Sequence, residues 1–179
     1  MSELIVKSPE NCSNTEIDAF IAFVLDGGEV SIQGLAERIR SAKTLVFARV
    51  DDSVVGVAAL KQPLASYRRR VSSGSGVPIL TATFPYELGW VYVSPESRGK
   101  GLSLLLSQAA LAHNKGAGMF ATSRTDNIRM HSTLAKLGFV AAGNPFASGR
   151  GKHSLQAFVR HAAQRRLDRA KSRSNFHGD

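Results

Sequence analysis

The chain has 179 residues, 43% of them hydrophobic and 21% charged, with a net charge of +9. That is enough for one domain with a sizeable core, and no apolar run reaches the length of a membrane span. A single cysteine, Cys12, excludes an intrachain disulfide and fits a cytoplasmic location, and no Cys/His cluster has metal-ligand spacing.

Leu4–Val6 predicts a short first strand. Ser13, Asn14 and Thr15 supply cap-type residues, and Ile17, Phe20, Ile21 and Val24 share one helical face that ends at Gly27-Gly28. A second helix is expected over Ile32 to Ala42. Thr44–Ala48 and Val54–Leu60, joined by the turn at Asp51-Asp52-Ser53, predict an antiparallel hairpin. From Gln62 to Thr81 no periodicity dominates, and Ser72-Ser73-Gly74-Ser75-Gly76 reads as a flexible loop. The preceding Arg68-Arg69-Arg70 reads either as a solvated turn or as a contact for a phosphate or an anionic substrate.

Glu87–Leu106 is the stretch around which the rest is arranged. Leu88, Trp90 and Tyr92 alternate with Glu87, Gly89, Val91 and Val93, which predicts a strand. Ser94-Pro95 breaks it. Leu102, Leu105, Leu106 and Ala109 predict a helix that runs to about Asn114. Between them lies Arg98-Gly99-Lys100-Gly101, a basic turn at a helix start. Free N–H groups and the positive helix end there favour an anion, and glycine lets it approach the main chain. A plain strand-to-helix turn with surface cations is the simpler alternative. Further strands are expected at Met119–Thr122, from Phe139-Val140, and at Leu155–Val159. Thr125-Asp126-Asn127 can cap a helix over Ile128–Leu137. Asn144-Pro145 and Ser148–Gly151 read as turns, and the basic tail from His161 as a helix or disordered.

Arg98-x-x-Gly101-x-Ser103 after a Val-x-Val strand end resembles the acetyl-CoA pyrophosphate loop of the GNAT superfamily of N-acetyltransferases. Asn127 followed by Leu137-Gly138-Phe139 resembles that superfamily's second motif, with Leu134 where a Tyr is usual. The resemblance covers about Leu4 to Arg160. It implies an α/β (α+β) GNAT fold, with a mixed, mostly antiparallel sheet of about seven strands, flanking helices and a splayed central strand pair. One domain over 1–160 and a basic tail over 161–179 follow from it. Acetyl-CoA would be the co-substrate. Arg98, Gly99, Lys100, Gly101, Leu102, Ser103 and Leu104 would cradle its pyrophosphate. Val91, Tyr92 and Val93 would flank the pantetheine arm, which Asn127 would hydrogen-bond, and the Val91 N–H would steady the oxyanion.

Acetyl transfer to an amine also needs a base. Between Thr81 and Arg160 the only acids are Glu87, Glu96 and Asp126. Glu87 is the candidate: the period of two places it on the face of Val91, and the resemblance implies a glutamate base there, as in some members. A carboxylate at the strand's start, solvated or paired with an arginine, is the alternative. Tyr86, Tyr92, His131 and Ser132 stay open as the acid, as does solvent. The acceptor is a small-molecule or protein amine. A CoA-binding module without turnover, and an acetyltransferase acting on a nucleic-acid-linked amine such as aminoacyl-tRNA, are the alternatives. Positive charge mildly favours anionic acceptors, and a homodimer is left open by the resemblance.

Overall fold

The computed structural model describes residues 2–28 and 30–163. Twelve elements follow one another: β1 (Glu3–Lys7), α1 (Asn14–Asp26), α2 (Leu35–Arg40), β2 (Thr44–Val50), β3 (Ser53–Lys61), α3 (Ala65–Ser75), β4 (Tyr86–Val93), α4 (Leu102–Ala112), β5 (Met119–Arg124), α5 (Ile128–Lys136), β6 (Val140–Ala147) and β7 (Ser154–Arg160). The strands form one seven-stranded sheet in the order β1-β2-β3-β4-β5-β7-β6. Only β4 and β5 run parallel, as the α4 crossover between them requires. This is the expected α+β fold.

Two layers of helix cover the sheet. Leu102, Leu106 and Ala110 of α4 pack on one face with Val46, Ala58, Leu88 and Val93. Ile17, Phe20 and Val24 of α1, with Leu35 and Ile39 of α2, pack on the other against Phe47, Val57 and Ala59. Leu105 faces outward, 41% exposed, so the buried stripe of α4 is narrower than its leucines suggest. Helix α1 begins on a capping box, in which the Ser13 side chain and Glu16 satisfy each other's backbone N–H groups. Helix α2 is shorter than expected. Gly34 sits at φ 64°, a conformation that cannot continue a helix, and Arg38 ties the preceding turn through the Ser31 and Gln33 carbonyls.

The segment read as a flexible loop is helical over Ala65–Ser75. Two of its four serines are spent locally: Ser75 Oγ donates to the Val71 carbonyl, and Ser72 Oγ accepts from the Ile79 N–H. At Gly74 a Cβ would come within 2.7 Å of the Phe146 ring, so the missing side chain is what lets α3 lie on β6. Val71 then joins Ile79, Phe84, Phe120, Phe146, Ala157 and Val159 in a third apolar cluster. Asn144-Pro145 is not a turn between elements. It lies inside β6, where pairing with β7 skips from Ala142 to Phe146.

No helix among the described residues is long and apolar enough to cross a membrane. The expected tail lies, from residue 164 on, outside the described residues.

Candidate active site

The site is built where β4 parts from β5. The two strands pair at Tyr86–Met119 and Glu87–Phe120 and nowhere beyond. From Leu88 onward β4 keeps β3 on one side and has no strand on the other. The opening lies at the carboxyl ends of both strands, and helices α4 and α5 start on either side of it.

At the start of α4 the backbone is bare. Gly99 and Gly101 have φ of 80° and 76°, and nothing lies within 4 Å of where a Cβ would stand. No hydrogen bond among the described residues uses the N–H groups of Gly99, Lys100, Gly101, Leu102 or Ser103; the first helical donors are Leu104 and Leu105, both to the Gly101 carbonyl. Five successive free amides at a helix start fit an anion such as a diphosphate. Arg98 is turned back, its Nε donating to the Val93 carbonyl at 3.0 Å and its guanidinium over the Tyr92 ring. Lys100 is exposed. Across the opening, Asn127 caps α5 by accepting the Met130 N–H through Oδ1 at 3.1 Å, and no hydrogen bond among the described residues uses its side-chain NH2.

A bulge re-aims β4. Val57 pairs with Tyr92 and Ala59 with Gly89, so three steps on β4 oppose two on β3, and Trp90 takes φ 51°. The period of two is therefore interrupted. Leu88, Val91 and Val93 pack on the α4 face, whereas Trp90 and Tyr92 turn toward α1. Glu87, the neighbour of Leu88, points away from α4 as well, so it does not share a face with Val91.

Glu87 is 2% exposed and fully engaged. Lys61 Nζ lies 2.6 Å from its Oε2. The Tyr67 hydroxyl donates to Oε1 at 2.8 Å, and Thr122 Oγ1 reaches the same oxygen at 3.2 Å. The two hydroxyls are 2.8 Å apart. Burial first, and then the negative charge of Glu87, push the Tyr67 phenol well above its ordinary range, so it remains a donor at neutral pH. Lys61 also lies over the Tyr67 and Trp90 rings, at 5.2 and 5.0 Å. At Gly89 a Cβ would come within 2.8 Å of Lys61 Cδ, so this glycine gives the lysine its path to Glu87.

The other acids stand apart. Glu96 is exposed in the turn after β4. Asp126 is 65% exposed and paired with Arg124, whose hydrogen bonds hold its carboxyl below the usual range. His131 is bound through Nε2 to the Arg124 carbonyl and leans on Phe158. Leu134 is fully buried in the core beneath α5.

The sequence matches the Acetyltransferase (GNAT) family over residues 13–139. The chain belongs to that family. It is an N-acyltransferase of the GNAT type, and acetyl-CoA is the family's co-substrate. Solved GNAT structures share its fold. An acyl-CoA N-acyltransferase from Pseudomonas aeruginosa superposes with a TM-score of 0.62 at 14% identity, over 89% of this chain and 99% of that one. The protein yncA from Salmonella typhimurium, solved with its cofactor acetyl-CoA, gives 0.61 at 16%, over 95% and 99%. A ribosomal-protein-alanine N-acetyltransferase from Brucella melitensis gives 0.60 at 17%, over 88% and 99%. No curated protein matches the sequence.

In this GNAT chain, sequence reasoning missed Tyr67, Lys61 and the part played by Thr122. Tyr67, Val71 and Ser75 recur every four residues, and Gly76 follows at φ 75°, a helix signal masked by the serine-glycine composition. The arginine triplet divides. Arg68 is buried and donates to the Phe84 and Pro85 carbonyls, while Arg69 and Arg70 are exposed.

Proposed function

We propose that this GNAT enzyme moves an acetyl group from acetyl-CoA to a primary amine by direct transfer in a ternary complex, with Glu87 as the base. The five free amides from Gly99 to Ser103 beside the unpaired edge of β4 carry this reading. Acetyl-CoA would supply the activated acyl group. Those amides, with Lys100, would hold its pyrophosphate, and Asn127 and the Val91–Val93 backbone would hold its pantetheine arm in the opening between β4 and β5.

Glu87 then has a definable task. An incoming ammonium must lose a proton before its nitrogen can bond to the acyl carbon as the carbon–sulfur bond breaks. Glu87 is too enclosed for direct contact, so the proton reaches it through a water. Tyr67, Thr122 and Lys61 fix both carboxylate oxygens and so orient the acceptor. The departing sulfur takes its proton from solvent, since Leu134 has none to give.

The test is thiol release from acetyl-CoA over a panel of amines, with coenzyme binding measured separately by calorimetry. Glu87→Gln should lower turnover by at least about a hundredfold, on the scale of general base catalysis, with coenzyme affinity unchanged. Turnover at the wild-type rate would remove Glu87 from the mechanism.

A further inference from the structure

On the Glu87 side of the sheet, an arginine of α3 meets the loop between β6 and β7. Helix α3 has three arginines and no acidic residue. Its Arg70 lies with the guanidinium 5.2 Å from the centre of the Tyr67 ring, on the same side chain whose hydroxyl holds Glu87. The β6–β7 loop meets it there: a Cβ on Gly149 would collide with the Arg70 guanidinium. The next residue in that loop is Arg150. The charge of Arg150 is also felt at Arg38 of α2, whose guanidinium is held by the Ser31 and Gln33 carbonyls. Burial first, and then the charge of Arg150, hold Arg38 below its ordinary value, with Glu37 offsetting part of the effect. Among the described residues, neither Arg70 nor Arg150 forms an ion pair, and both are exposed.

Two exposed arginines without an ion pair among the described residues, one on α3 and one beside the glycine that meets it, favour an anion at this place. Glu87, the carboxylate held by the Tyr67 hydroxyl, is already matched by Lys61. The Gly99–Ser103 amides begin α4, which packs on the opposite face of the sheet, so this positive group is separate from the one that serves the coenzyme.

We propose that Arg70 and Arg150 bind a carboxylate on the acceptor, so that the substrate is a small amine with an acid group a few bonds away, of the amino-acid class. Tyr67 is the ruler. Its hydroxyl end marks the carboxylate that receives the proton, and its ring face carries the guanidinium that would grip the acid. Both ends of such a substrate are thus addressed by one side chain. A planar guanidinium also suits a planar carboxylate through two parallel hydrogen bonds.

This proposal rests on the acetyl-transfer reading for its location, and its test separates the two. Twenty L-amino acids and their C-terminal amides are compared as acceptors with acetyl-CoA, and the same compounds are titrated calorimetrically into the CoA-loaded protein. Acids are expected to outperform their amides. That ratio should fall about ten- to a hundredfold in Arg70→Gln, the scale of one or two charge-assisted hydrogen bonds. A smaller fall is expected in Arg150→Gln, and partial recovery in Arg70→Lys. Comparing ratios between proteins cancels the different basicity of acid and amide amines. An unchanged ratio in Arg70→Gln, a preference for amides, or no binding of any acid to the CoA-loaded protein would overturn the proposal. Loss of the ratio in Arg70→Gln together with full turnover in Glu87→Gln would sink the base assignment and leave the carboxylate site standing.

Discussion

The Lys61–Glu87 pair offers a quantitative test of how the site is held together. Glu87 is 2% exposed and its side chain lies 2.6 Å from a lysine that is itself 17% exposed. Removing one member of a buried pair strands the other and costs roughly 3–5 kcal/mol, whereas replacing both by groups of similar size is close to neutral. Lys61→Met strands a carboxylate that keeps only the Tyr67 and Thr122 hydroxyls, so about 4 kcal/mol is expected. Glu87→Gln strands a lysine that still has two aromatic faces and an exit to solvent, so about 3 kcal/mol is expected at most. The double variant keeps a buried amide that Met cannot pair, so it is not neutral, but it should cost no more than about 4 kcal/mol rather than the sum of about 7, a coupling of at least about 3 kcal/mol. Urea denaturation of the four proteins measures this, provided the slope with denaturant stays constant. Single costs that add to within about 0.5 kcal/mol would refute the pairing. Turnover should stay low in the double variant even where its stability improves on the sum, because the proposed proton acceptor is still absent.

Three further outcomes follow from the geometry. Gly89→Ala should destabilise by about 1–3 kcal/mol, since the new methyl displaces Lys61, and the cost should shrink sharply in a Lys61→Met background. Gly101→Val should weaken acetyl-CoA about ten- to a hundredfold by calorimetry, because a branched side chain at φ 76° strains the turn and crowds its free amides. Glu16 is held below the usual carboxylate range mainly by a hydrogen bond from Lys7, then by the Ser13 N–H, with Arg49 also contributing. A depressed value means that Glu16 stabilises the fold above the ordinary glutamate range and ceases to do so as pH falls through its lowered value. The melting-temperature advantage over Glu16→Gln should therefore be full at neutral pH, start to shrink near the ordinary glutamate value of about 4.3, and be gone once pH is under the lowered value.

The sheet, helices α1, α4 and α5 and the bare turn were legible in the sequence because each depends on local chemistry. Alternation marked the strands, cap residues marked α1 and α5, and two glycines marked the turn before α4. The register of β4 was not legible. A bulge depends on its partner strand, and nothing in Glu87–Val93 by itself announces that Trp90 is in the left-handed region. The face assigned to Glu87 failed for that reason alone. Helix α3 was hidden because serine and glycine usually signal a free chain, whereas here the Phe146 ring on a distant strand gives Gly74 its purpose. Tyr67 was lost with the helix that carries it.

The packing of Gly74 on Phe146 has an architectural consequence. It fastens the helix bearing Tyr67 and Arg70 to the very hairpin whose tip bears Arg150, and it does so through an apolar cluster that shares no residue with the one beneath α4. The proposed coenzyme grip and the proposed acceptor grip would thus stand on separate foundations. On that proposal, lengthening or recharging the hairpin tip would retarget the enzyme to a new amine while its grip on the acyl donor stays as it was.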